Sequence, residues 1–228
     1  MSLSKMPLSK TEQSIRELSF FSRINEGQIT QLAAISHLES YPKSYLLHYE
    51  GSSSKRILFL VSGLAKAYKI DKYDNEVFLY YIYPDSLLSD LSSLSEDHLL
   101  SYANVTMEED VQLLSIDYAK FKNRFIENAL LSQEIFATII QQSKQLQALI
   151  NREFVLDSVG KVAMMLDQDL AIFNRRKRSD ISLMLHLQPA TLSRVLNRLR
   201  RDGIIMIDKG EITVSASDRL QSLYQGSL

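Results

Sequence analysis

The chain has 228 residues, of which 45% are hydrophobic and 23% are charged, and its net charge is −1. This composition excludes a disordered chain. The absence of cysteine excludes a disulfide framework, a thiolate zinc site, a cysteine-ligated iron–sulfur cluster and a cysteine nucleophile. No apolar run approaches the length of a membrane span, and the start, MSLSKMPLSKTEQS, lacks the apolar stretch of a signal peptide. We therefore expect one large or two ordinary domains in the cytoplasm, without a membrane partner.

The near-neutral total hides an asymmetry along the chain. Residues 1–170 hold 16 Lys and Arg against 22 Asp and Glu, whereas residues 171–228 hold 10 against 5. A bare charge run is usually a solvated surface. The split indicates a polyanionic partner when the basic part also has the pattern of a nucleic-acid-binding motif.

The N-terminal half predicts helices followed by strands. Over residues 11–38 apolar residues recur at helical spacing, and Asn25 followed by Gln28 predicts a capping box. From about 41 to 118, short runs rich in Tyr, Leu, Ile, Val and Phe alternate with turn residues at 51–54, 71–75 and 84–86. Closely spaced short strands predict an antiparallel barrel or sandwich.

A helical period returns from about 117 to 157, and no Gly or Pro occurs between Phe121 and Val159. Apolar and polar residues there alternate by four and three, as in a coiled-coil seam. The predicted seam consists of Ile135, Ile139, Gln142, Leu146 and Leu149. Such a helix either packs on its own β domain or pairs with a second chain, and we favour pairing.

The C-terminal segment predicts helices, a tight turn and a hairpin. An amphipathic helix over 159–173 and the basic link NRRKR precede SDISLMLHL, QPATLSRVLNRLRRDG and IIMIDKGEITV, the last with a turn at 208–210. We expect Ser179 or Asp180 to cap the first short helix, His186 to take the left-handed position of the turn, and Pro189 to begin the next helix. The residues predicted to point inward are Leu192, Val195, Leu196 and Leu199.

Two short helices around a tight turn, the second rich in Arg, predict a DNA-binding helix-turn-helix with the hairpin as a wing. The alternative is an ordinary helical subdomain with a basic surface; element order, charge and turn chemistry together favour DNA. Arg on such a helix gives bidentate contacts to guanine, whereas Thr191, Arg178 and Arg198 suit phosphates. The predicted DNA-binding residues are Arg178, Ser179, Gln188, Pro189, Ala190, Thr191, Ser193, Arg194, Asn197 and Arg198.

At these residues the chain resembles a known family. SVGKVAMML, PATLSRVLNRLRRDGII and GEITV resemble the winged-helix end of the Crp/Fnr family of bacterial transcription regulators, and EGSSSKRILFLVSGLAKAYKID resembles its β-roll strands. The resemblance covers nearly the whole chain. It implies an α+β fold with a cyclic-nucleotide-binding-like sensory β-roll over 1–118, a long dimerisation helix over 119–157 and a winged helix-turn-helix over 158–228.

The resemblance also implies partners and roles. A homodimer would bind a palindromic operator in double-stranded DNA, with RNA polymerase as a further partner. Ser193 and Arg194 would read bases, and Arg178 would contact phosphate. The family commonly has Glu where this chain has Ala190, and Ala can contact only a thymine methyl group. PATLSR is similar to the branch of nitrosative-stress and nitric-oxide-responsive regulators.

The sensory region departs from the cyclic-nucleotide-binding members. Those members carry Gly-Glu and then Arg-Ser/Thr-Ala, whereas this chain has Ser89-Asp90 and no Arg near residues 101–103. With Glu96 and Asp97 also expected nearby, a buried phosphate would be unpaired. We therefore expect no cyclic nucleotide.

Few residues are left for other chemistry. The four histidines lack metal-ligand spacing, so no metal site is predicted, and haem is the one cofactor kept open, with His48 or His98 as ligand. We expect no enzyme, because no phosphate loop, nucleophile elbow or paired carboxylates occur. The alternative function is a haem or small-molecule sensor whose output is protein contact rather than DNA.

Overall fold

The computed structural model describes residues 8–225. The chain divides into two compact units, Met1–Lys144 and Gln145–Leu228. The first half of the segment examined above for a signal peptide lies outside the described residues. Within residues 8–225, no helix is long and apolar enough to cross a bilayer.

The N-terminal helical region is shorter than predicted. It forms α1 (Lys10–Glu17) and α2 (Glu26–Ala33), joined through a 3-10 turn at Ser19–Phe21. The predicted capping box is confirmed, because the Asn25 side chain accepts from the Gln28 N–H and the Gln28 side chain accepts from the Asn25 N–H. The helices stop before residue 38 because residues 36–41 extend as the first strand.

Residues 36–117 contain ten short strands, all paired antiparallel as predicted. They are β1 (Ser36–Tyr41), β2 (Leu46–His48), β3 (Ser53–Ser54), β4 (Arg56–Ser62), β5 (Ala65–Ile70), β6 (Glu76–Ile82), β7 (Ser86–Leu87), β8 (Leu99–Leu100), β9 (Asn104–Met107) and β10 (Val111–Asp117). One sheet has the order β1-β10-β4-β7, the other β2-β9-β5-β6, and β3 pairs with β8. The predicted turns at 71–75 and 84–86 connect β5 to β6 and β6 to β7, and part of 51–54 forms β3.

The central strand β4 explains why this region needs two apolar layers. Its run of consecutive apolar residues is buried on both faces. Ile57 and Phe59 join the core under the N-terminal helices, whereas Leu58 and Leu60 join the core shared with β5 and β9. Because successive side chains of a strand point to opposite faces, this one strand connects both cores.

The helical region after the sheets is interrupted, so the predicted continuous helix over 119–157 is corrected. α3 (Tyr118–Phe121) runs into a π-helical turn at Lys122–Ile126, and α4 (Ser132–Ile150) is followed by another at Asn151–Val155. Between them Ala129 has a φ of 58°. Phe125 and Leu131 are both fully buried, and in a continuous helix they would lie about 120° apart, so the chain bends to bury both.

The second unit follows the predicted order of helices, turn and hairpin. Its elements are α5 (Ser158–Gln168), α6 (Leu170–Arg175), α7 (Arg178–Met184), α8 (Pro189–Arg201), β11 (Ile205–Asp208), β12 (Glu211–Val214) and α9 (Ser217–Gln225). The helix predicted over 159–173 is divided at Asp169, which has a φ of −131° and a ψ of 36°. α5 contacts both α8 and α9, so it forms the centre of this unit.

The tight connection between β4 and β5 gives a test of the fold at Gly63. Its φ is 88°, and a Cβ atom there would clash with the Asp110 carbonyl oxygen and lie 2.8 Å from Val111 Cγ1. We expect Gly63→Ala to lower the free energy of unfolding by about 2–4 kcal/mol, because left-handed strain and overpacking add. Urea unfolding followed by circular dichroism measures this loss.

Gly51→Ala is the matched control for that substitution. Gly51 has a φ of 77°, but no heavy atom lies within 4 Å of an added Cβ. We expect a loss of about 1–2 kcal/mol from the backbone conformation alone. Equal losses in the two variants would show that the clash at Gly63 has no energetic effect.

Candidate nucleic-acid interface

The turn between α7 and α8 is closed by backbone hydrogen bonds that require a left-handed residue. The Leu187 N–H donates to the Ser182 carbonyl (2.8 Å), and the His186 N–H donates to the Leu183 carbonyl (3.0 Å). This is the pattern of a Schellman motif. His186 takes the left-handed position with a φ of 52°, as predicted. Glycine is the usual residue there, so a side chain at this position costs on the order of 1 kcal/mol.

The start of α7 differs from the prediction. Its N-cap is Lys177 and no side chain caps it, while Ser179 and Asp180 lie inside the first turn. The predicted cap is therefore wrong. Arg178 is fixed by its own side-chain contacts and becomes the first helical residue, and Asp180 instead faces the positive end of the helix dipole.

The second helix, α8, begins at Pro189 with Gln188 as N-cap, as predicted. The predicted inward residues are all buried, namely Leu192, Val195, Leu196 and Leu199. The opposite side is exposed over Gln188, Pro189, Ala190, Ser193, Arg194, Asn197 and Arg198, with Thr191 half-buried. The predicted DNA-contacting residues of α8 therefore share one free surface.

Arg194 lies along the surface of its own helix. Its Nε–H donates to the Ala190 carbonyl and an Nη2 hydrogen to Thr191 Oγ1, both over 3.3 Å. These bonds are long and exposed. The guanidinium can therefore turn toward a base edge without leaving a buried group unpaired.

Arg178 has contacts inside its own unit that the sequence did not indicate. Its Nη1 donates to the Phe173 carbonyl (3.0 Å) and its Nη2 to the Gly210 carbonyl (2.7 Å), and the guanidinium carbon lies 4.5 Å from the centre of the Phe173 ring. Burial lowers the pKa of Arg178, although an arginine stays charged. Asn174 pairs with Ile212 through both its donor (2.8 Å) and its acceptor (2.9 Å). Arg178 and Asn174 thus fasten the hairpin to α6.

The hairpin itself has the predicted turn. β11 and β12 are joined by Lys209 and Gly210, whose φ values are 47° and 90°. Two successive positive φ values are typical of the type I′ turns that suit two-residue hairpins. Lys209 is thereby exposed at the tip of the predicted wing.

A charged cluster connects the π-helical turn after α4 with the turn before α8. Glu153 Oε2 accepts from His186 Nδ1 (2.8 Å) and lies 3.5 Å from Lys161 Nζ, and Glu153 Oε1 accepts from Arg152 Nε (2.8 Å). The buried Lys161 ammonium also donates to the Leu185 carbonyl (3.4 Å). Burial acts to raise the pKa of Glu153, but the hydrogen bonds and charges of Arg152 and His186 outweigh it and lower the pKa.

The first unit has a small cavity at the predicted sensory position. Its volume is about 10 Å³, room for about one water molecule, and its lining residues are His48, Ser52, Ser54, Ser89, Asp90, Leu99, Leu100 and Ser101. Burial raises the pKa of Asp90, against the hydrogen bond from the Tyr102 N–H (2.9 Å). Burial also lowers the pKa of His48, against the nearby charge of Asp90.

Two acidic residues that were expected beside this cavity lie elsewhere. Asp97 pairs with the buried Lys122 at 2.5 Å, and Glu96 pairs with His98 at 3.0 Å. Of the three carboxylates expected beside the cavity, Asp90 is therefore the one that lines it. Lys69 is a nearby cation that lowers the pKa of Asp90, but its ammonium pairs with Glu50.

In α4, the long helix of the structure, the exposed apolar face is rotated from the predicted seam by about one residue. Ile135 is buried in the first unit, Gln142 and Leu149 are half-buried, and Ile139 and Leu146 are exposed. The sequence analysis missed further exposed apolar residues in and after α4, namely Phe136, Ile140, Ile150 and Phe154. Their spacing of four, ten and four residues was a signal, but a single sequence does not show which apolar face its own domain covers.

Comparison with known proteins agrees with this architecture. Residues 38–128 match the family "Cyclic nucleotide-binding domain", and residues 164–223 match the family "Crp-like helix-turn-helix domain". The two matches together cover about two thirds of the chain and define a DNA-binding transcription regulator with a cyclic-nucleotide-binding-like domain. The chain belongs to the Crp/Fnr family of transcription regulators.

Individual relatives are distant but extend over most of the chain. A cyclic AMP receptor protein of Thermus thermophilus is 20% identical over 193 residues, covering 82% of this chain and 87% of that protein. The structure of a CooA mutant from Carboxydothermus hydrogenoformans is similar with a TM-score of 0.70 and 18% identity, covering 91% of this chain and 95% of that one. FixK2 from Bradyrhizobium japonicum gives a TM-score of 0.63 and 17% identity, covering 83% and 97%. At such identities the structures establish the shared fold.

The exposed face of α8 predicts that Arg194 reads a base. We expect Arg194→Ala to cost about 1–3 kcal/mol in binding of the preferred operator and to relax specificity at one base pair. Arg178→Ala should weaken binding to all DNA sequences by nearly the same factor, because it removes a positive charge and the contacts that hold the wing. Arg200→Ala, also exposed on α8, is the charge-matched control. The measurement is the binding of each variant to operators with single-base changes. If Arg178→Ala altered base preference and Arg194→Ala did not, the assignment of Arg194 to a base would be contradicted.

Proposed function

We propose that this protein is a homodimeric, sequence-specific regulator in the bacterial cytoplasm that binds a palindromic operator through α8 and acts with RNA polymerase. The observation that carries the proposal is the free face of α8, on which Ala190, Ser193, Arg194 and Asn197 are all exposed. Short polar and guanidinium side chains in the first turns of such a helix are suited to base edges in the major groove.

Selection of bound sites from random DNA duplexes with the purified protein tests this function. We expect enrichment of a palindrome whose half-sites lie about one helical turn, roughly 34 Å, apart. Because Ala190 replaces a residue that accepts from cytosine, the enriched half-site should have a thymine methyl group near Ala190. Binding that never exceeds its salt-dependent, sequence-independent level would overturn the proposal.

The support for a homodimer is the apolar face left uncovered along the long helix. The stripe consists of five apolar residues: Phe136 has 65% of its surface exposed, Ile140 56%, Leu146 55%, Ile150 55% and Ile139 42%. A contiguous apolar stripe of this kind on a helix is typical of an interaction surface. Two copies of the stripe related by a twofold axis would cover each other.

Charge placed in that stripe tests the dimer. We expect Ile139→Asp with Leu146→Asp to give monomers and to abolish operator binding, because buried unpaired carboxylates oppose pairing. The matched control is Ala137→Asp with Gln141→Asp, which places two charges on exposed positions away from the stripe. Analytical ultracentrifugation reports the oligomeric state, and an unchanged dimer in the stripe variant would disprove the assignment.

We further propose that the sensory domain does not bind cyclic nucleotides. The cavity has a carboxylate, Asp90, and none of the residues that line it is Arg or Lys. A cyclic phosphate entering it would be desolvated beside a carboxylate without a paired cation, which costs several kcal/mol. The cavity would also have to expand greatly to admit a nucleotide.

Calorimetric titration tests this absence of binding. We expect no saturable heat with cyclic AMP or cyclic GMP at millimolar concentration. We also expect no rise in melting temperature, whereas a ligand at about 100 times its Kd would add about 2.7 kcal/mol of stability. Saturable heats in the micromolar range with either nucleotide would show that the sensory site lies elsewhere or opens.

For the signal we propose nitric oxide or nitrosative stress, on the support of the PATLSR match alone. The two candidate haem ligands do not fit a haem in this arrangement. His98 pairs with Glu96, and His48 lies at a cavity of about 10 Å³. An absorbance spectrum of the purified protein tests the haem misfit, because a haem band would contradict it. Operator binding measured with and without nitric oxide tests the signal, and unchanged binding would contradict it.

A further inference from the structure

A histidine stands where the turn between α7 and α8 favours glycine. His186 has a φ of 52° at the left-handed position of a Schellman motif. A side chain at such a position is strained, and Gly would relieve the strain at no cost to the backbone hydrogen bonds. The side chain that His places at this position can make a contact that Gly could not.

The His186 side chain makes one charged contact, and that contact leads to the long helix. Its Nδ1 donates to Glu153 Oε2 over 2.8 Å. Glu153 belongs to the π-helical turn Asn151–Val155 that directly continues α4, 33 residues before His186. The carboxylate is four-fifths buried, with 20% of its side chain exposed.

The same carboxylate is held from two further sides. Arg152 Nε donates to its other oxygen over 2.8 Å. Lys161, which is 9% exposed, lies 3.5 Å from Glu153 Oε2 and donates to the Leu185 carbonyl, the residue next to His186. Two neighbouring residues of the turn are thus fixed to one carboxylate and its ammonium partner. Charge-assisted hydrogen bonds of this kind are roughly twice as strong as neutral ones.

We infer that Glu153 and His186 are positioning residues for DNA recognition: their contact ties the turn before α8 to the end of the long helix and sets the direction in which α8 meets the DNA. Neither side chain is assigned to the DNA surface. The inference rests on the proposed function, because it concerns how the reading helix is oriented and not whether it reads.

Three substitutions separate this role from a purely structural one. His186→Gly removes the side chain and suits the left-handed backbone, so we expect the fold to be retained. We expect the Kd for the selected operator to rise about tenfold, the equivalent of about 1.4 kcal/mol. His186→Asn, which tolerates a positive φ and can donate to Glu153, should restore most of the affinity. Glu153→Gln keeps the shape and removes the charge, and we expect it to weaken binding as His186→Gly does.

The sign of the Glu153→Gln effect is diagnostic. Removing a negative charge from a DNA-binding unit by itself strengthens binding to phosphates. Asp218→Asn is the matched control, since Asp218 is exposed in α9 and has no part in the contact. We expect the control to bind as tightly as wild type or more tightly, and Glu153→Gln to bind more weakly.

The preference for a particular spacing between half-sites is a property that a loss of protein stability alone would not change. Palindromes with one base pair added or removed between half-sites should be rejected less strongly by His186→Gly and Glu153→Gln than by wild type. Because both single variants remove the contact between His186 and Glu153, we expect the loss of affinity in the double variant to be smaller than the sum of the two single losses. Urea unfolding of each variant confirms that the compared proteins are folded.

The outcomes are distinct. Unchanged affinity and spacing preference in folded His186→Gly, or tighter binding by Glu153→Gln that matches Asp218→Asn, overturns the inference. If wild type selects no operator at all, the proposed function fails instead, whatever the variants do.

Discussion

The buried row of α8 is the constraint on which the DNA-binding surface depends. Leu192, Val195, Leu196 and Leu199 recur at helical spacing and are buried together. Burying such side chains stabilises the unit by about 1.5–3 kcal/mol each, so α8 has one available rotation about its axis. The opposite face, with Ser193 and Arg194, is then exposed simply because the buried row faces inward. The Schellman turn before α8 determines where that face begins, and the two-residue turn after β11 forms the tip of the wing.

The first unit has a small cavity that bears on ligand binding. It has room for about one water molecule and lies near Ser89 and Asp90. The Asp90 carboxylate accepts from the backbone N–H of Tyr102, and the charges of His48 and Lys69 act to lower its pKa against the effect of burial. A ligand that favours this site must be small, or must open the β3-β8 pair, and must accept an acidic neighbour. These requirements are the basis of our proposal that the site does not take a cyclic phosphate.

Local signals explain which features could be predicted from the sequence. Capping at Asn25, the left-handed His186, Pro189 at a helix start and the turn at Lys209-Gly210 depend on residues a few positions apart, and all were predicted. The errors involve distant residues. Ala129 takes a left-handed conformation because Phe125 and Leu131 are both buried, and Ser179 does not cap α7 because Arg178 bonds to the Phe173 and Gly210 carbonyls. The rotation of the apolar stripe also depended on a distant contact, since Ile135 is covered by its own unit. The single sequence did not indicate Glu153 at all, because its partner His186 is 33 residues away.

In the proposed dimer, α4 and the π-helical turn that continues it serve both the pairing of the two chains and the orientation of α8. The exposed stripe of α4, which includes Ile139 and Leu146, is the surface that would bring two chains together. The π-helical turn that continues α4 carries Glu153, whose carboxylate contacts the turn before α8. A rotation or bend at residues 151–155 would therefore change the direction of the reading helix relative to a twofold axis, without altering any residue that touches DNA. Because a palindrome is read only when both helices have the correct separation and direction, a few hydrogen bonds at this junction are sufficient to separate a binding-competent arrangement from an incompetent one. A difference of about 1.4 kcal/mol between two such arrangements already changes their ratio tenfold, which is within the range of one charge-assisted hydrogen bond.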